Sequence, residues 1–574
     1  MVYFIISYFL WPVGRKGGCL MTTISTKSLI LRGIGLVVLA LVGWFLNWLF
    51  TPAGNIQSVG LWWYIILMAL IGVVVFAIAE HDESSIGTII CVIIAALAFV
   101  GWSLWGFFSS EIVNAKKYAA LIEVADGNFD EDIQRLDYGS QMILLDMGTA
   151  KQLGQRSVGN LKNLSWYEIN EEYNLVRSNG EYYRISPLEW SDFIKAFNNS
   201  KIGLPAYVTV NAMVNQARTV ELEENMKYTP NSLGQYNLKR HLRNNYSSYI
   251  FDNKYQFEVD DDGTPYYIAS VMEPTIGLFG GKVVKSFVLV NAVTGKCQEY
   301  SPEEIPSWVD HAYSLSYLMD LAEWHYKYQD GYWNTWFSEN NVYKTSYQYK
   351  SEVFAGYTSV LINGEVCFVT GLVSARNDES LTGFLTLNPR TGEIVRYGCV
   401  GAEESSGQSA AEALVQNYRY SASFPIVVNV DGQETYFMTL KDKTLNNKAF
   451  AFVNVRDYTK AVQADNLKDA LTLYKQKIGT LEETELEQNQ PTSETPEGEV
   501  ELVSKEGEIV TLYEAIKSGN TNYFFSLEGD ETLYVSSIEN SDKQVTMKVG
   551  DIVEISYFSA TEEGVGIVKK ITIK

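Results

Sequence analysis

Three long apolar runs near the amino terminus constrain this chain more than any other feature. They cover residues 29–50, 61–79 and 86–108, and the last two contain no charged residue. A helix of about 20 apolar residues is long enough to cross the roughly 30 Å hydrocarbon core of a bilayer. Because a soluble domain interrupts such runs with polar residues, the pattern predicts three transmembrane helices within residues 28–108.

The charges that flank these runs predict the orientation. Basic residues precede or open the first run, whereas the segment 51–60 between the first two runs carries no charge; the basic residues are Arg15, Lys16, Lys27 and Arg32. Basic flanks favour the cytoplasmic side of a membrane. We therefore expect residues 1–27 in the cytoplasm and the large region after residue 108 outside it. Lys116 and Lys117, which follow the third run, argue for the opposite orientation.

The apolar runs carry little that a transporter needs. Proton and ion pathways use ionisable side chains within the membrane, and the second and third runs have none. The three helices are therefore expected to anchor the chain in the lipid bilayer and to allow association into a homo-oligomer.

Composition limits the domain number and the partners. A chain of 574 residues is too long for a single hydrophobic core, so two to four domains are expected. The formal net charge of −23 argues against nucleic acid as a partner, because phosphate binding needs clustered Lys and Arg.

Cysteine and histidine show no pattern typical of a metal site. The five cysteines include no CxxC pair, and the four histidines have no metal-ligand spacing, so no metal or cofactor is expected. A disulfide among Cys297, Cys367 and Cys399 stays open as an alternative, although small strand residues are the favoured interpretation.

A repeated hairpin organises the remainder of the chain. Residues 286–300 read SFVLVNAVTGKCQEY, and residues 383–397 read GFLTLNPRTGEIVRY. The two copies align at Asn291 with Asn388 and at Gly295 with Gly392. A glycine at this place supplies the positive φ that short hairpin loops need. Two weaker copies, at Asn211 and Asn454, lack the Thr-Gly pair.

Strands and helices alternate in groups after the third apolar run, which predicts α+β units with antiparallel sheets. Residues 118–124 are predicted as a strand, and residues 238–249, 405–418 and 467–478 as helices. Residues 480–500 are rich in Glu, Thr, Ser and Pro and predict a disordered acidic linker. Short alternating strands beyond it predict a small barrel of the OB type. The expected divisions are 1–27, 28–108, 109–250, 251–342, 343–479, 480–500 and 501–574.

The repeated turn resembles that of the PepSY family, whose modules show a strand, an Asx-Ala-x-Thr-Gly turn and a further strand. Residues 291–295 fit this pattern well and residues 388–392 fit it partly, with Asn in place of the more usual Asp. The resemblance implies modules outside the membrane that inhibit peptidases or bind envelope components.

Residues 20–480 also resemble an uncharacterised group of multi-pass membrane proteins of Gram-positive bacteria. That group is often labelled as cell-shape or twin-arginine-signal proteins, but no Arg-Arg pair lies near the start of this chain. The resemblance implies no catalytic residues. It rests on the stretches IGLFGGK, LVNAVTG, IPSWVDHAY, TGFLTLNPRTGE and YFMTLKD.

The densest aromatic segment, residues 323–337, is the best candidate for binding. Its candidate binding residues are Trp324, Tyr332, Trp333 and Trp336. Such side chains dominate binding hot spots and stack on sugar rings. The favoured alternative is that they pack two modules together.

Three other candidates are assigned structural roles, so no catalytic residue is predicted. His311, beside Asp310, is expected on a surface helix, where neighbouring side chains point apart. The acidic run Asp260–Asp262 is expected to be a solvated hairpin turn, without the spacing of a calcium loop. Residues 405–409 are expected to cap a helix, since they lack the order of a nucleophile turn.

The leading hypothesis is a non-enzymatic, membrane-anchored protein that binds or scaffolds proteins or wall material of the bacterial envelope. One alternative is a regulator or inhibitor of an envelope peptidase. A second is an envelope enzyme that uses paired carboxylates from the Asp260 turn or from Glu403 and Glu404.

Overall fold

The computed structural model describes residues 26–79, 86–138, 143, 145–213, 216–349, 356–480, 502–517, 520–530, 532–537, 544, 547–558 and 565–573. Helices α1 (Thr26–Phe50), α2 (Val59–Ala79) and α3 (Ile86–Phe108) coincide with the three apolar runs. Each is long and apolar enough to cross a membrane, which confirms three membrane-compatible helices. Their large side chains face outwards, as in Leu41, Ile78 and Leu97, which are 63%, 73% and 67% exposed.

A short helix and a short strand follow α3. Helix α4 covers Glu111–Ala119, and strand β1 covers Val124–Asp126. The prediction of a strand over 118–124 is therefore wrong, because residues 115, 118 and 119 pack as one helical face into an apolar cluster. Helix α5 (Phe129–Asp132) comes next.

The first sheet is antiparallel, and helix α6 (Met147–Ser157) packs against its strands β5 and β6. Its order is β2-β4-β5-β6, with β3 paired to β4. Helix α7 (Phe193–Asn199) joins β4 to β5. The strands are β2 (Tyr167–Ile169), β3 (Asn174–Ser178), β4 (Glu181–Trp190), β5 (Leu204–Asn211) and β6 (Ala217–Met226).

Helix α8 (Leu238–Asn245) leads into the second sheet, which has the order β10-β9-β8-β7. The helix ends four residues before the predicted 249. Apolar side chains of the first and second sheets share one core, which includes Val208, Phe257 and Val288. The strands are β7 (Phe251–Val259), β8 (Pro265–Ile276), β9 (Gly280–Asn291) and β10 (Cys297–Tyr300).

The third sheet gathers distant parts of the chain. Strand β1 pairs in parallel with β15, so that Val124 lies opposite Ile394, and the order is β1-β15-β14-β13-β11 with β12 on β13. Helices α9 (Leu315–Tyr328) and α10 (Asn334–Phe337) come before strand β11 in the chain. The other strands are β11 (Tyr343–Thr345), β12 (Thr358–Ile362), β13 (Glu365–Ser374), β14 (Asn377–Leu387) and β15 (Ile394–Ala402).

The fourth sheet has the order β16-β18-β19-β20, with β17 on β18. Helix α11 (Glu404–Leu414) precedes it and helix α12 (Leu467–Ile478) follows it. The predicted helix over 467–478 is confirmed, whereas the one over 405–418 ends at 414. The strands are β16 (Ser421–Ala422), β17 (Ile426–Val430), β18 (Gln433–Lys441), β19 (Asn447–Asn454) and β20 (Ala461–Ala464).

One asparagine turn recurs in all four sheets. The side-chain oxygens of Asn211, Asn291, Asn388 and Asn454 each accept a hydrogen bond from the backbone N–H two residues further on, at 2.9 to 3.1 Å. Such a bond fixes the turn locally. The two weaker copies therefore share this hydrogen bond with the two that carry Thr-Gly.

The first unit of the chain ends at Leu481, and residues 482–574 form a second unit. The linker predicted over 480–500 lies almost entirely outside the described residues. The second unit contains a closed barrel with the order β21-β22-β23-β25-β24, in which β23 and β25 are parallel. Its strands are β21 (Leu502–Lys517), β22 (Asn520–Leu527), β23 (Leu533–Ser537), β24 (Ile552–Phe558) and β25 (Val565–Ile573).

Candidate functional site

Part of the predicted aromatic site is a packing contact. Trp324 lies on α9 and is half-buried, and its Nε1 donates a hydrogen bond to Oε1 of Glu111 at 2.9 Å. Its ring meets the edge of Tyr118, with the centroids 5.0 Å apart. Trp324 therefore joins α9 to helix α4, which follows the third membrane-compatible helix.

The other three predicted residues extend from this contact to the surface. Tyr332 is half-buried and stacks on Tyr328, whose hydroxyl donates to the Glu111 carboxylate. Trp333 and Trp336 are 63% and 70% exposed. The structure thus divides the predicted site into an inner pair that packs and an outer pair, on or beside α10, that is open to solvent.

A separate cleft of about 560 Å³ lies between the first, third and fourth sheets. Sequence reasoning did not identify it, because its walls come from segments up to three hundred residues apart. Its polar side chains include many hydroxyl groups. The polar side chains that line the cleft are those of Asp146, Lys151, Arg184, Tyr357, Thr358, Ser359, Ser421, Ser423, Thr439 and Lys441.

Arg184 is the most unusual residue of this cleft. It lies on β4 and is only 4% exposed. Within the part of the chain that the structure describes, its guanidinium makes one hydrogen bond, from Nε to the carbonyl oxygen of Leu145 at 2.9 Å. Burial lowers the pKa of Arg184 to about 10, so that the side chain stays charged at neutral pH. A buried charge without an opposite charge is costly unless a ligand compensates it.

The neighbouring ion pair does not compensate Arg184. The ammonium of Lys441, a buried residue, contacts the carboxylate of Asp146. That carboxylate also caps α6 by accepting from the Thr149 backbone N–H at 3.1 Å and from its hydroxyl at 3.0 Å. The buried hydroxyl of Thr439 has no hydrogen-bond partner among the described residues. The described residues of the cleft therefore offer hydroxyl groups and a guanidinium that none of them pairs with a carboxylate.

His311 corrects one prediction. It was expected on a surface helix, but it lies in the segment before α9 and is 1% exposed. Both its backbone N–H and its Nδ1 lie within hydrogen-bond distance of Oε1 of Glu258, at 2.9 and 3.0 Å. The hydrogen-bond partner of His311 is therefore Glu258 on β7.

The acids of the enzyme alternative lie apart. The Asp260 side chain closes its own turn by accepting from the backbone N–H groups of Asp262 and Thr264. Glu404 is buried at the start of α11, where it accepts from the Ser346 hydroxyl at 2.8 Å. Neither contributes to the described walls of the 560 Å³ cleft.

The remaining candidates from the sequence are residues 405–409, the three cysteines and the metal ligands. Residues 405–409 lie within the first two turns of α11, and the N-cap residue is Glu403. The structure has free thiols at Cys297, Cys367 and Cys399, so it contains no disulfide among these three residues. Among the described residues, no group of three or more His, Cys, Asp or Glu side chains has the arrangement of a metal site.

Arg184 was missed because both faces of β4 are buried. Alternation along a strand distinguishes an inward from an outward residue only when one face is solvated, and here Tyr182 to Trp190 are mostly buried on both sides. A charged residue in the middle of such a strand is the signal that would have found it. No family model matches the sequence, and no curated protein is significantly similar to it.

Proposed function

We propose that this chain is a non-enzymatic, membrane-anchored binding or scaffold protein of the bacterial cell envelope, with its folded region outside the cytoplasm. In this proposal the four sheets are PepSY-like modules and the carboxyl-terminal unit is an OB-like barrel. The recurring asparagine turn supports the first assignment. The closed order of five strands supports the second.

The observation that carries the proposal is the buried guanidinium of Arg184 in the cleft, which has no carboxylate partner among the described residues. A cleft of about 560 Å³ lies within the range of small-molecule sites, roughly 300–1,000 Å³. A guanidinium binds a carboxylate or phosphate through two parallel hydrogen bonds. The ligand would therefore carry one anionic group for Arg184 and polar groups for the surrounding hydroxyls.

Envelope material has this chemistry. Wall peptides end in carboxylates, and wall polymers and lipid headgroups carry phosphates. The chain as a whole carries a formal charge of −23, which repels anions. In the cleft, Lys441 pairs with Asp146 and Lys151 pairs with Glu171 at 3.4 Å, whereas Arg184 has no carboxylate partner among the described residues. The local charge of the cleft thus favours an anion where the remainder of the protein does not.

The test is a binding titration of the full chain in nanodiscs with citrate, inorganic phosphate and soluble wall-peptide fragments, followed by calorimetry. We expect saturable binding of at least one probe. Arg184→Met should weaken it at least tenfold, and Arg184→Lys should weaken it less, because Lys keeps the charge but not the planar fork.

Arg177→Met is the matched control. Arg177 lies on the neighbouring strand β3 and its side chain is exposed, so its loss should leave the titration unchanged. Absence of binding by the unmodified chain, or equal affinities for the Arg184→Met and Arg177→Met variants, would refute the proposed site.

A further inference from the structure

Two groups of large apolar side chains are exposed outside the membrane-compatible helices. The first group, named here the α7 patch, consists of Phe193, Ile194, Phe197 and Ile202, which are 70%, 69%, 71% and 52% exposed. Within α7 only Ala196 turns inwards. Soluble surfaces rarely place so many large apolar residues side by side.

The second group, named here the α10 patch, consists of Trp333, Trp336 and Phe337. These side chains are 63%, 70% and 81% exposed. The rings of Trp333 and Phe337 stack on each other with their centroids 6.1 Å apart. The patch is therefore a preformed aromatic surface.

A chain of hydrogen bonds links α7 to the end of α1. Arg240 donates to the carbonyl oxygen of Trp48 at 3.0 Å, and its guanidinium lies 4.0 Å from the centre of the Trp48 ring. The same guanidinium donates to the carbonyl oxygen of Gly234 at 2.7 Å. The preceding residue, Leu233, donates its N–H to the hydroxyl of Ser200, the C-cap residue of α7, at 2.8 Å.

A second set of contacts places the α10 patch beside the end of α3. Glu111, three residues beyond Phe108, accepts from Trp324 at 2.9 Å and from the Tyr328 hydroxyl. Tyr328 lies at the end of α9, and its ring stacks on that of Tyr332. Tyr332 in turn meets Trp333, with the ring centroids 5.5 Å apart. The last turn of α9 is therefore linked through Glu111 to the residues that follow α3.

The loop between α1 and α2 holds the folded region close to these ends. The Gly54 N–H donates to the Ser247 carbonyl oxygen at 2.9 Å, and the Asn55 amide donates to the Ser248 carbonyl oxygen at 3.2 Å. On the α3 side, the Ser109 hydroxyl accepts from the N–H groups of Leu278 and Phe279. These bonds tie the folded region to the loop between α1 and α2 and to the end of α3.

The side chains at this end of the helices have the composition of a membrane interface. Trp44 and Trp48 lie in the last two turns of α1, Trp63 in the first turns of α2, and Trp105 in the last turn of α3. Tryptophan prefers the boundary between hydrocarbon and headgroups. The two patches continue this belt of aromatic residues away from the helices.

From this continuity we infer that the α7 and α10 patches insert into the outer part of the same lipid leaflet, so that the folded region rests on the bilayer at two points beside its anchor. Lys201, which is exposed next to the first patch, and Lys327, next to the second, would reach lipid phosphates. The lipid ligand is a phospholipid surface, and the inference does not depend on which side of the membrane the folded region occupies.

The test uses the unmodified full chain in nanodiscs of phosphatidylcholine and phosphatidylglycerol. One portion of the phospholipid carries a diazirine near the glycerol backbone. After illumination, we expect lipid adducts on peptides that contain residues 193–202 and 333–337. Tyr418 is the matched control, because it is 67% exposed and belongs to the region around the fourth sheet; its peptide should carry no adduct.

Hydroxyl-radical footprinting of the same nanodiscs provides the second measurement. Relative to free peptides, Phe197 and Trp336 should be modified several-fold more slowly than Tyr418. Modification of both patches at the rate of Tyr418 would overturn the inference. Protection without lipid adducts would also overturn it, because a second protein copy would then cover the patches.

Discussion

Nδ1 of His311 lies 3.0 Å from Oε1 of Glu258, and both side chains are buried. Burial lowers the pKa of His311 to about 4 and raises the pKa of Glu258 well above its ordinary value. Burial also raises the pKa of the neighbouring Asp310 to about 7. The histidine is therefore neutral at pH 7, and the pair joins β7 to the segment that leads into α9.

This cluster predicts a pH-dependent contribution from His311. Its pKa is about 4 in the folded protein and about 6.5 when unfolded. Between these values the unfolded chain takes up a proton that the folded chain does not, so the stabilising contribution is present above pH 6.5 and is lost as the pH falls towards 4. Relative to His311→Gln, the unmodified chain should lose up to about 3 kcal/mol over this range.

Thermal unfolding followed at several pH values measures this difference. Asp310 and Glu258 titrate in both the unmodified chain and the His311→Gln variant. Because their pKa values are raised in the folded protein, the stability that they contribute falls as the pH rises, which is opposite to the effect of His311. Only the difference between the two proteins therefore reports on His311. Parallel pH profiles for both would contradict the assignment of a neutral buried histidine.

Arg184→Met should not destabilise the fold. The substitution removes a buried cation that has no carboxylate partner in the described part of the chain, and it replaces this cation with an apolar side chain of similar length. We expect a melting temperature equal to or above that of the unmodified chain, measured without added anions. A large decrease would mean that Arg184 supports the packing of β4 and has a structural role.

The turn glycines distinguish backbone strain from steric conflict. Gly295 has a φ of +76°, and a Cβ there would lie 2.5 Å from Cζ of Tyr228. Gly295→Ala should therefore cost about 1 kcal/mol for the left-handed backbone and about 1–2 kcal/mol more for displacing the tyrosine. Chemical denaturation of the full chain in detergent measures the total.

Gly180→Ala is the control for that prediction. Gly180 has a φ of +81°, but no atom lies within 4 Å of the place that an added Cβ would occupy. This variant should show the backbone cost alone. Equal costs at the two positions would show that Tyr228 moves away freely. Gly392, whose added Cβ would lie 2.9 Å from Cζ of Tyr313, should behave like Gly295.

Arg243 should control how firmly the loop between α1 and α2 is held. Its guanidinium donates to the carbonyl oxygens of Thr51, Ser247 and Tyr249 at 3.2, 3.0 and 2.7 Å. Ser247 also accepts from the Gly54 N–H. Arg243→Met should accelerate hydrogen exchange at the Gly54 amide at least tenfold, because local opening becomes easier.

The neighbouring Lys239 is exposed and serves as the control. Lys239→Met should leave exchange at Gly54 unchanged. If Arg243→Met also left it unchanged, the loop would be held by its own backbone bonds and not by the guanidinium.

The carboxyl-terminal unit should fold as a fragment of residues 482–574. Its barrel has its own core, which includes Phe525, Val553 and Ile555. Phe525→Ala should lower its free energy of unfolding by about 3–5 kcal/mol, because a fully buried ring leaves a cavity. Val510→Ala, at a position 44% exposed, should change it by less than about 0.5 kcal/mol. An unfolded fragment, judged by circular dichroism, would show that the barrel needs the remainder of the chain.

Sequence patterns predicted the three apolar helices and the repeated turn well, because both depend on neighbouring residues. The strand predicted over 118–124 failed for the opposite reason. Its apolar residues serve α4, whose inward face meets Ile276 and Tyr328. The strand that does form, β1, pairs with residues 394–396, and no local pattern contains that information.

The sequence by itself determined which segments suit a membrane and where each module turns. Length of an apolar run and the backbone preference of Asn and Gly are local properties. Only the tertiary structure decided that Trp324 packs while Trp336 is exposed, and that His311 is buried with Glu258. It also decided that Arg184 faces a cleft whose described residues offer it no carboxylate. These outcomes depend on which distant segments of the chain pack together, because that packing determines which side chains are buried and which charges are paired.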